Sequence, residues 1–582
     1  MKARTLVPAV ALGGVVVGLA VGVRVFLRPE TGHGDAERTL PDDEWAGAQD
    51  WFAAARNAAS LPAVTTATGP REVGLCRIAP GAASRCVSGV GATWAEAVVH
   101  AASGNDWLAD GTLRLELVLE VAPSTFPADA SPHQAGTRGL RVGPRTVWPS
   151  EVLIDGLFST PDEDDPPVWK VPALQQALGV SSDTFAYESV TTFTLVQAAP
   201  GQPPRPVYRL HGRDWPATDP ASLARPLHLA ADHLVHLVSP EGRIRYRYDP
   251  RAGRALAGQN LLRHAGTTWS LLRANERFGD PRFVGAADRA LSFLLRHTGT
   301  DVRQGPHGGG RVRFVLEGSN HKLGGAGLSL LALATWQQQT GDTKYEEAAK
   351  QFATHLLSQQ QESGEFWSYA PKVEGGPRKP DRSEYYPGEA VLGLVAWYAS
   401  DPDPRWLDTA KRGADWLIDV RDAGKGPGKL AADHWLMMAL ERLHRVTGDD
   451  RYVEHAIHLA ETVAFQQQRQ AGHDRFHPDY RGGFYEPPRS TPATIRAEGL
   501  GAVLDLCART NRDCERFVPV LHLAVGHALQ SQYGEDDTWW TPRPEDVVGG
   551  FAGGLVDPEL RNDYTQHAFC ALLAAERHPL RD

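Results

Sequence analysis

Basic residues are the minority charge in this chain: 60 Lys and Arg stand against 70 Asp and Glu, for a formal net charge of −10. With no basic stripe to displace counterions, a nucleic-acid partner is excluded. Cysteine is scarce too. Five in 582 residues cannot build a disulfide framework, and no CxxC or Cys/His zinc spacing occurs. No Walker A motif, GxSxG elbow or Rossmann fingerprint is present, which leaves nucleotide, esterase and dinucleotide chemistry without support. Beyond the first 30 residues no apolar run is long enough to cross a bilayer. What is there is a globular composition, 42% apolar and 22% charged, able to bury large cores.

The start of the chain is the exception to the missing apolar runs. Lys2 and Arg4 precede an apolar stretch from Leu6 to Val23, about membrane length for a helix. It reads as an uncleaved anchor over residues 1–27, with a cleaved signal peptide as the competing reading. An anchor of that polarity places the chain in the inner membrane as a single pass with its bulk on the exported, periplasmic side. There the pairs Cys76/Cys86 and Cys507/Cys514 can oxidise, and Cys570 is left as a small buried apolar residue.

Residues 28–70, rich in Pro, Gly, Asp and Thr with one short helical stretch, read as a linker. Residues 71–212 change to an α+β pattern. "TWAEAVVHAAS" is helical, "TLRLELVLEVA" alternates as a strand, and "FAYESVTTFTLVQA" returns to strand composition. With "GTRGLRVGP", "VWPSEVLID" and "ALQQALGV", this order resembles the AMMECR domain family. The resemblance implies a fold and no activity, because "VGLCRIAPGAAS" lacks the family's flanking glycine pattern.

Residues 213–582 are helical and repetitive. "GDPRFVGAADRALSFLL", "GDTKYEEAAKQFATHLL", "DPDPRWLDTAKRGADWLI" and "GDDRYVEHAIHLAETVA" share one template. An Asp suited to the N-cap is followed by a basic residue and an aromatic, with Pro281 and Pro404 at the first helical position. Two looser copies make six amphipathic helices. Between them lie six helices that are apolar nearly all round, as expected of helices covered on both sides. Strict alternation predicts two concentric rings. The region resembles the six-hairpin (α/α)6 toroids, the architecture of many glycoside hydrolases, polysaccharide lyases and sugar epimerases. The expected fold class is therefore multidomain: a membrane helix, an AMMECR-like α+β domain and an all-α toroid.

In a toroid every inner helix starts at the same end, so the polar first turns should meet in one funnel. In chain order they carry Arg263 and His264; Asn320, His321 and Lys322; Tyr385 and Glu389; Asp433 and His434; Arg496 and Glu498; Asp563 and His567. Asp433, Glu498, Asp563, His264 and His434 are the candidate catalytic residues. Arg263, Asn320, His321, Tyr385, Glu389, Arg496 and His567 are the candidate binding residues. Paired carboxylates there suit glycoside hydrolysis, and histidines with an arginine suit proton transfer beside a carbonyl, as in epimerisation. No metal or cofactor is expected. The expected partners are a glycan or other envelope ligand and the lipid bilayer, and the alternative function is a non-catalytic, glycan- or protein-binding scaffold. Any single cluster reads equally well as helix capping; their convergence is what points to a site.

Overall fold

The computed structural model describes residues 45–59, 68–81, 84–130, 134–159, 168–212, 214–316, 321–370, 381–471, 478–485 and 488–581. The anchor expected over residues 1–27 and the candidate Asn320 lie outside the described residues. Among the described residues no helix is long and apolar enough to cross a membrane.

The N-terminal half is mixed α/β. Strands β1 (Arg71–Ile78), β2 (Arg85–Gly91), β3 (Thr112–Phe126), β8 (Phe185–Gln197), β9 (Arg205–Tyr208) and β10 (His211–Gly212) form an antiparallel sheet. Its order is β10-β9-β8-β3-β1-β2; β4 (Arg138–Val142) pairs with both β8 and β5 (Arg145–Val147). A short separate pair, β6 (Phe158–Ser159) and β7 (Val168–Trp169), completes the strands of this half. Cys76 and Cys86 face each other across β1 and β2 and are disulfide-bonded.

Helix α1 (Ala48–Ala58) corrects one expectation. It lies inside the segment read as a linker, yet Phe52 and Ala55 are buried in a core with Trp94, Leu115 and Phe193. Its apolar face packs on α2 (Trp94–Ala102), so this part of the linker belongs to the α/β half. Two further short helices follow, α3 (Pro149–Ile154) and α4 (Val171–Leu178).

Among the described residues of the rest, twelve α-helices pair up, with short strands and turns between them. The outer ones are α5 (Pro220–His236), α7 (Pro281–Arg296), α9 (Glu346–Ser358), α11 (Pro404–Trp416), α13 (Asp450–Ala471) and α15 (Val518–Leu529). The inner ones are α6 (Leu261–Phe278), α8 (Leu323–Thr340), α10 (Tyr386–Tyr398), α12 (His434–Thr447), α14 (Ser490–Thr510) and α16 (Asn562–Arg577). Each inner helix packs on the next, and α16 packs back on α6. The ring is closed. Each outer helix packs on two neighbouring inner ones, so the inner helices are enclosed and need no polar face.

The repeated template has its expected physical role. Asp219, Asp280 and Asp403 cap α5, α7 and α11 through their side chains, each with Pro at the next position. Inner helices α6, α8 and α12 end at Gly279, Gly341 and Gly448, with φ of 66°, 68° and 69°. This left-handed turn folds the chain back within a few residues. The longer, aromatic- and glycine-rich connections therefore fall at the opposite end, before each inner helix.

The two halves share a core. Trp148 and Phe158 cluster with Tyr248, Tyr533 and Trp540 of the helical half, and buried Arg209 pairs with Asp479 at 3.0 Å.

Cys507 and Cys514, at the turn from α14 towards α15, are bonded with Cα atoms 6.2 Å apart, within the reach expected from their spacing. Cys570 is unpaired and buried, as expected. Reducing the Cys507–Cys514 bond is expected to lower stability by about 2–3 kcal/mol, the loop-closure entropy of a short loop. Urea unfolding of wild type and C507A/C514A under oxidising conditions checks this; equal midpoints would contradict it.

Candidate functional site

The first turns of all six inner helices meet around one cavity of about 440 Å³. Arg263 of α6, Lys322 before α8, Tyr385 and Glu389 at α10, His434 of α12, Arg496 of α14, and Asp563 and His567 of α16 line it. A second cavity of about 400 Å³ is lined by the last turns of the same helices, among them Gln338, Arg442 and Asp505. The inner helices thus run parallel, with a mouth at each end of the ring. Between the mouths sits a plug of rings: Trp269 on Trp435 at 6.0 Å, and Trp435 on His567 at 5.7 Å.

Glu389 is 3% exposed. Its Oε2 has no hydrogen-bond partner among the described residues. The carboxyl lies against Gly324 of α8, where a Cβ would come within 1.7 Å of Oε2. Only glycine leaves that space. Burial first, then the charge of Asp433, pushes its pKa up to about 8, against the pull of Arg263 and Lys322. Glu389 is therefore a neutral acid at pH 7.

Asp563 is the opposite case. Burial raises its pKa, but the guanidiniums of Arg561 and Arg263 outweigh that and hold it down at about 2. Arg263 Nε lies 2.9 Å from Asp563 Oδ2, and Arg561 Nη2 donates to the same oxygen at 2.8 Å. Arg263 stands on the first inner helix and Asp563 on the last, so this pair ties the seam of the ring.

The floor carries two histidines. His567 Nδ1 donates to Glu498 Oε2 at 2.8 Å, which turns Nε2 away from that carboxylate and towards the Gln566 amide nitrogen at 3.5 Å. His434 faces His567 with ring centroids 5.3 Å apart. Burial, with His567 and Arg496 nearby, drives the His434 pKa well below the usual histidine range. Tyr385 is pushed up to about 12 by burial and stays a neutral hydroxyl. Arg496 is fixed by Gln466 Oε1 and Tyr485 Oη, both at 3.0 Å.

Eight of the residues expected in the funnel thus line the cavity: Arg263, Lys322, Tyr385, Glu389, His434, Arg496, Asp563 and His567. Glu498 reaches it only through His567 and lines the second cavity. Three others are placed elsewhere. Asp433 caps α12, accepting from Leu436 N at 3.1 Å and pairing with Arg421 at 3.0 Å. His264 points outward, its Nε2 donating to Ala290 O at 2.9 Å beside the Phe293 ring. His321 stacks on Phe314 at 3.8 Å. In each case a local contact holds the side chain away from the cavity, and the first-turn position alone does not decide which way it points.

Sequence reading passed over Trp435, Tyr485 and Arg561 as site residues, all of which line the cavity. Arg561 directly precedes α16, and Tyr485 sits in an aromatic, glycine-rich insert, the class of segment that gathers at this mouth.

His264 gives a direct check on its placement in the core. Burial lowers its pKa to about 4, so its stabilising contribution is complete above pH 6.5 and fades as pH falls towards 4. Wild type should lose about 1.4 kcal/mol per pH unit relative to H264Q across that window. Parallel stability–pH curves would show that His264 is solvated.

The comparisons with known proteins bear on the helical half. Residues 283–489 match the family model of the beta-L-arabinofuranosidase GH127 catalytic domain, less than half of the chain. That segment contains Glu389, Asp433 and His434 and stops before α14 and α16. Among curated proteins none matches. Solved structures similar to this chain include the GH76A alpha-1,6-mannanase from Salegentibacter sp. HEL1_6, at 13% identity, TM-score 0.44, 61% of this chain and 99% of that one. A D-mannose isomerase matches at 15% identity, TM-score 0.44, 61% of this chain and 97% of that one. Cellobiose 2-epimerase from Spirochaeta thermophila DSM 6192 matches at 15% identity, TM-score 0.43, 62% of this chain and 96% of that one. Likenesses of this strength support no statement about activity.

Proposed function

We propose that the helical ring is a carbohydrate-active enzyme that hydrolyses a glycosidic bond in the cavity at the inner-helix starts. The observation that carries the reading is Glu389, a cavity-lining carboxyl whose pKa of about 8 keeps it protonated at neutral pH. A leaving alkoxide needs such a donor. On the floor, His567 with its tautomer set by Glu498 suits a base that deprotonates the attacking water. Arg263, Arg496 and Tyr385 supply donors for sugar hydroxyls. Asp563 is engaged by two arginines and is assigned to holding them rather than to proton transfer. The match of residues 283–489 to a glycosidase catalytic domain supports the same reaction class.

A second reading, sugar epimerisation, draws support from His434 and His567, whose near-perpendicular rings face each other at 82°. Two imidazoles at one cavity floor can take a proton from a substrate carbon and return it. One experiment separates the two. The protein is incubated in D2O with a panel of aryl and natural glycosides and with free sugars, and followed by NMR. Hydrolysis releases the aglycone with no deuterium on carbon; epimerisation puts deuterium on carbon and releases nothing. Neither signal over the whole panel would leave the non-catalytic, glycan-binding scaffold in front.

The resemblance of the α/β half to AMMECR domains remains a proposal about fold. Export behind an uncleaved N-terminal anchor is likewise proposed, and the two disulfides are consistent with an oxidising compartment. Removing residues 1–30 should release a soluble protein from membranes. Retention of that truncation at high salt would overturn the anchor.

A further inference from the structure

Among the described residues, four buried polar atoms at the plug between the two mouths have no hydrogen-bond partner: His434 Nδ1, His434 Nε2, Glu498 Oε1 and the indole Nε1 of Trp269. Buried groups left this way have lost water and gained nothing in return, and an ion or an ordered water is the usual explanation. The atoms are not scattered. One nitrogen of His434, one nitrogen of His567 and one carboxylate oxygen of Glu498 lie within 4.8 Å of one another, and all three residues are buried. They come from three different inner helices, so the ring closure itself assembles them. No stretch of the sequence carries the spacing.

We infer that His434, His567 and Glu498 form a binding site for a divalent transition-metal ion of the zinc class. The donor chemistry favours that class: two imidazoles and one carboxylate suit zinc, whereas calcium and magnesium call for oxygen ligands throughout. Tetrahedral zinc with bonds of about 2.1 Å holds its donors about 3.4 Å apart. His567 Nδ1 and Glu498 Oε2 now share a hydrogen bond at 2.8 Å; ligation through these atoms replaces that bond with two bonds to the ion and opens the pair by about 0.6 Å, while His434 brings one ring nitrogen to the same centre. Among the described residues the His434 ring makes no hydrogen bond that would have to break. Glu498 supplies one negative charge at the centre, offsetting part of the ion's charge beside Arg496.

His434 and His567 line the mouth cavity, whereas Glu498 lines the opposite one. Three protein ligands leave a fourth position for water or substrate, the arrangement of catalytic rather than structural zinc. When bound, the ion would acidify a water at the cavity floor. The inference deepens the hydrolase reading and revises one role in it: with the ion bound, His567 is a ligand, and the ion rather than a free imidazole would activate the water that is the nucleophile the reaction needs. It does not depend on that reading, since metal binding is measured without turnover.

The test uses the full, tag-free chain stripped with chelator and dialysed, then titrated with zinc by calorimetry and with cobalt(II) by visible absorption. One zinc per chain, and cobalt bands of the intensity of four- or five-coordinate ions, are expected. H434Q and E498Q should each lower zinc affinity at least tenfold, while H264Q, altered outside the site, should not. Near-UV circular dichroism identifies any variant that has lost its fold; the wild-type titration remains decisive without it. Absence of saturable one-to-one zinc binding in wild type, or undiminished affinity in folded H434Q, overturns the inference. Chelator-resistant hydrolysis by a zinc-free chain overturns the ion's part in the reaction, returns the base role to His567 and leaves the hydrolase reading intact. Zinc bound at these residues with no turnover on any glycoside does the reverse.

Discussion

Replacing Glu389 with glutamine is expected to lower kcat on glycosides with poor leaving groups by about 10²–10³-fold, the contribution of a positioned general acid. Glutamine keeps the shape of the buried site against Gly324 and removes only the transferable proton. The loss should shrink on 4-nitrophenyl glycosides, whose leaving group departs with little protonation. Side-by-side kinetics on the two substrate types check this; an equal loss on both would point to misfolding or binding. E389Q should also be the more stable protein at alkaline pH. The folded-state pKa of Glu389 is raised from 4.5 to about 8, so the folded protein binds the extra proton across that window. Its stabilising contribution is complete below pH 4.5 and is lost as pH rises through 8. Wild type should fall relative to E389Q by about 1.4 kcal/mol per pH unit over that range.

The largest stability loss is expected for Asp563→Asn, about 3–5 kcal/mol by urea unfolding. Asp563 is 3% exposed and paired with Arg561 and Arg263, two guanidiniums that lose their counter-charge together in the variant. The position multiplies the effect. The α16–α6 contact closes the ring, and around it Asn562 and Gln566 bond to Thr267. A cost below about 1 kcal/mol would show that the seam is held by apolar packing alone and that the ion pair is incidental.

Much of the ring was legible because its two helix types differ in composition. Enclosure strips the polar face from an inner helix such as α8, whose residues from Leu323 to Trp336 are all buried. Exposure leaves Asp caps and basic residues on α7 and α11. The shared direction of the inner helices follows from the alternation, and with it the gathering of their first turns. What the sequence could not show was rotation about each helix axis. Arg263 and His264 are neighbours, yet one lines the cavity and the other bonds to Ala290. Asp433 and His434 divide in the same way, into a helix cap and a floor residue. Glu389, two residues past Pro387, read equally well as a cap of its own helix and is the buried acid. The signal that separates these outcomes is tertiary: Gly324, on the neighbouring helix, is small where the carboxyl must fit. The segment that carries α1 misled for a related reason. Its Pro and Gly content reads as linker, but the alanine-rich face around Phe52 has a partner in α2 that only the fold supplies.

The measurement that bears most directly on the central claim is the pH dependence of kcat/KM on a hydrolysed natural glycoside, for wild type and for E389Q. A neutral buried acid predicts a wild-type rate that falls on the alkaline side with an apparent pKa near 8, and a residual E389Q rate without that limb. An alkaline limb that survives in E389Q, or a wild-type rate already falling near pH 5, would contradict the assignment of Glu389 as the proton donor.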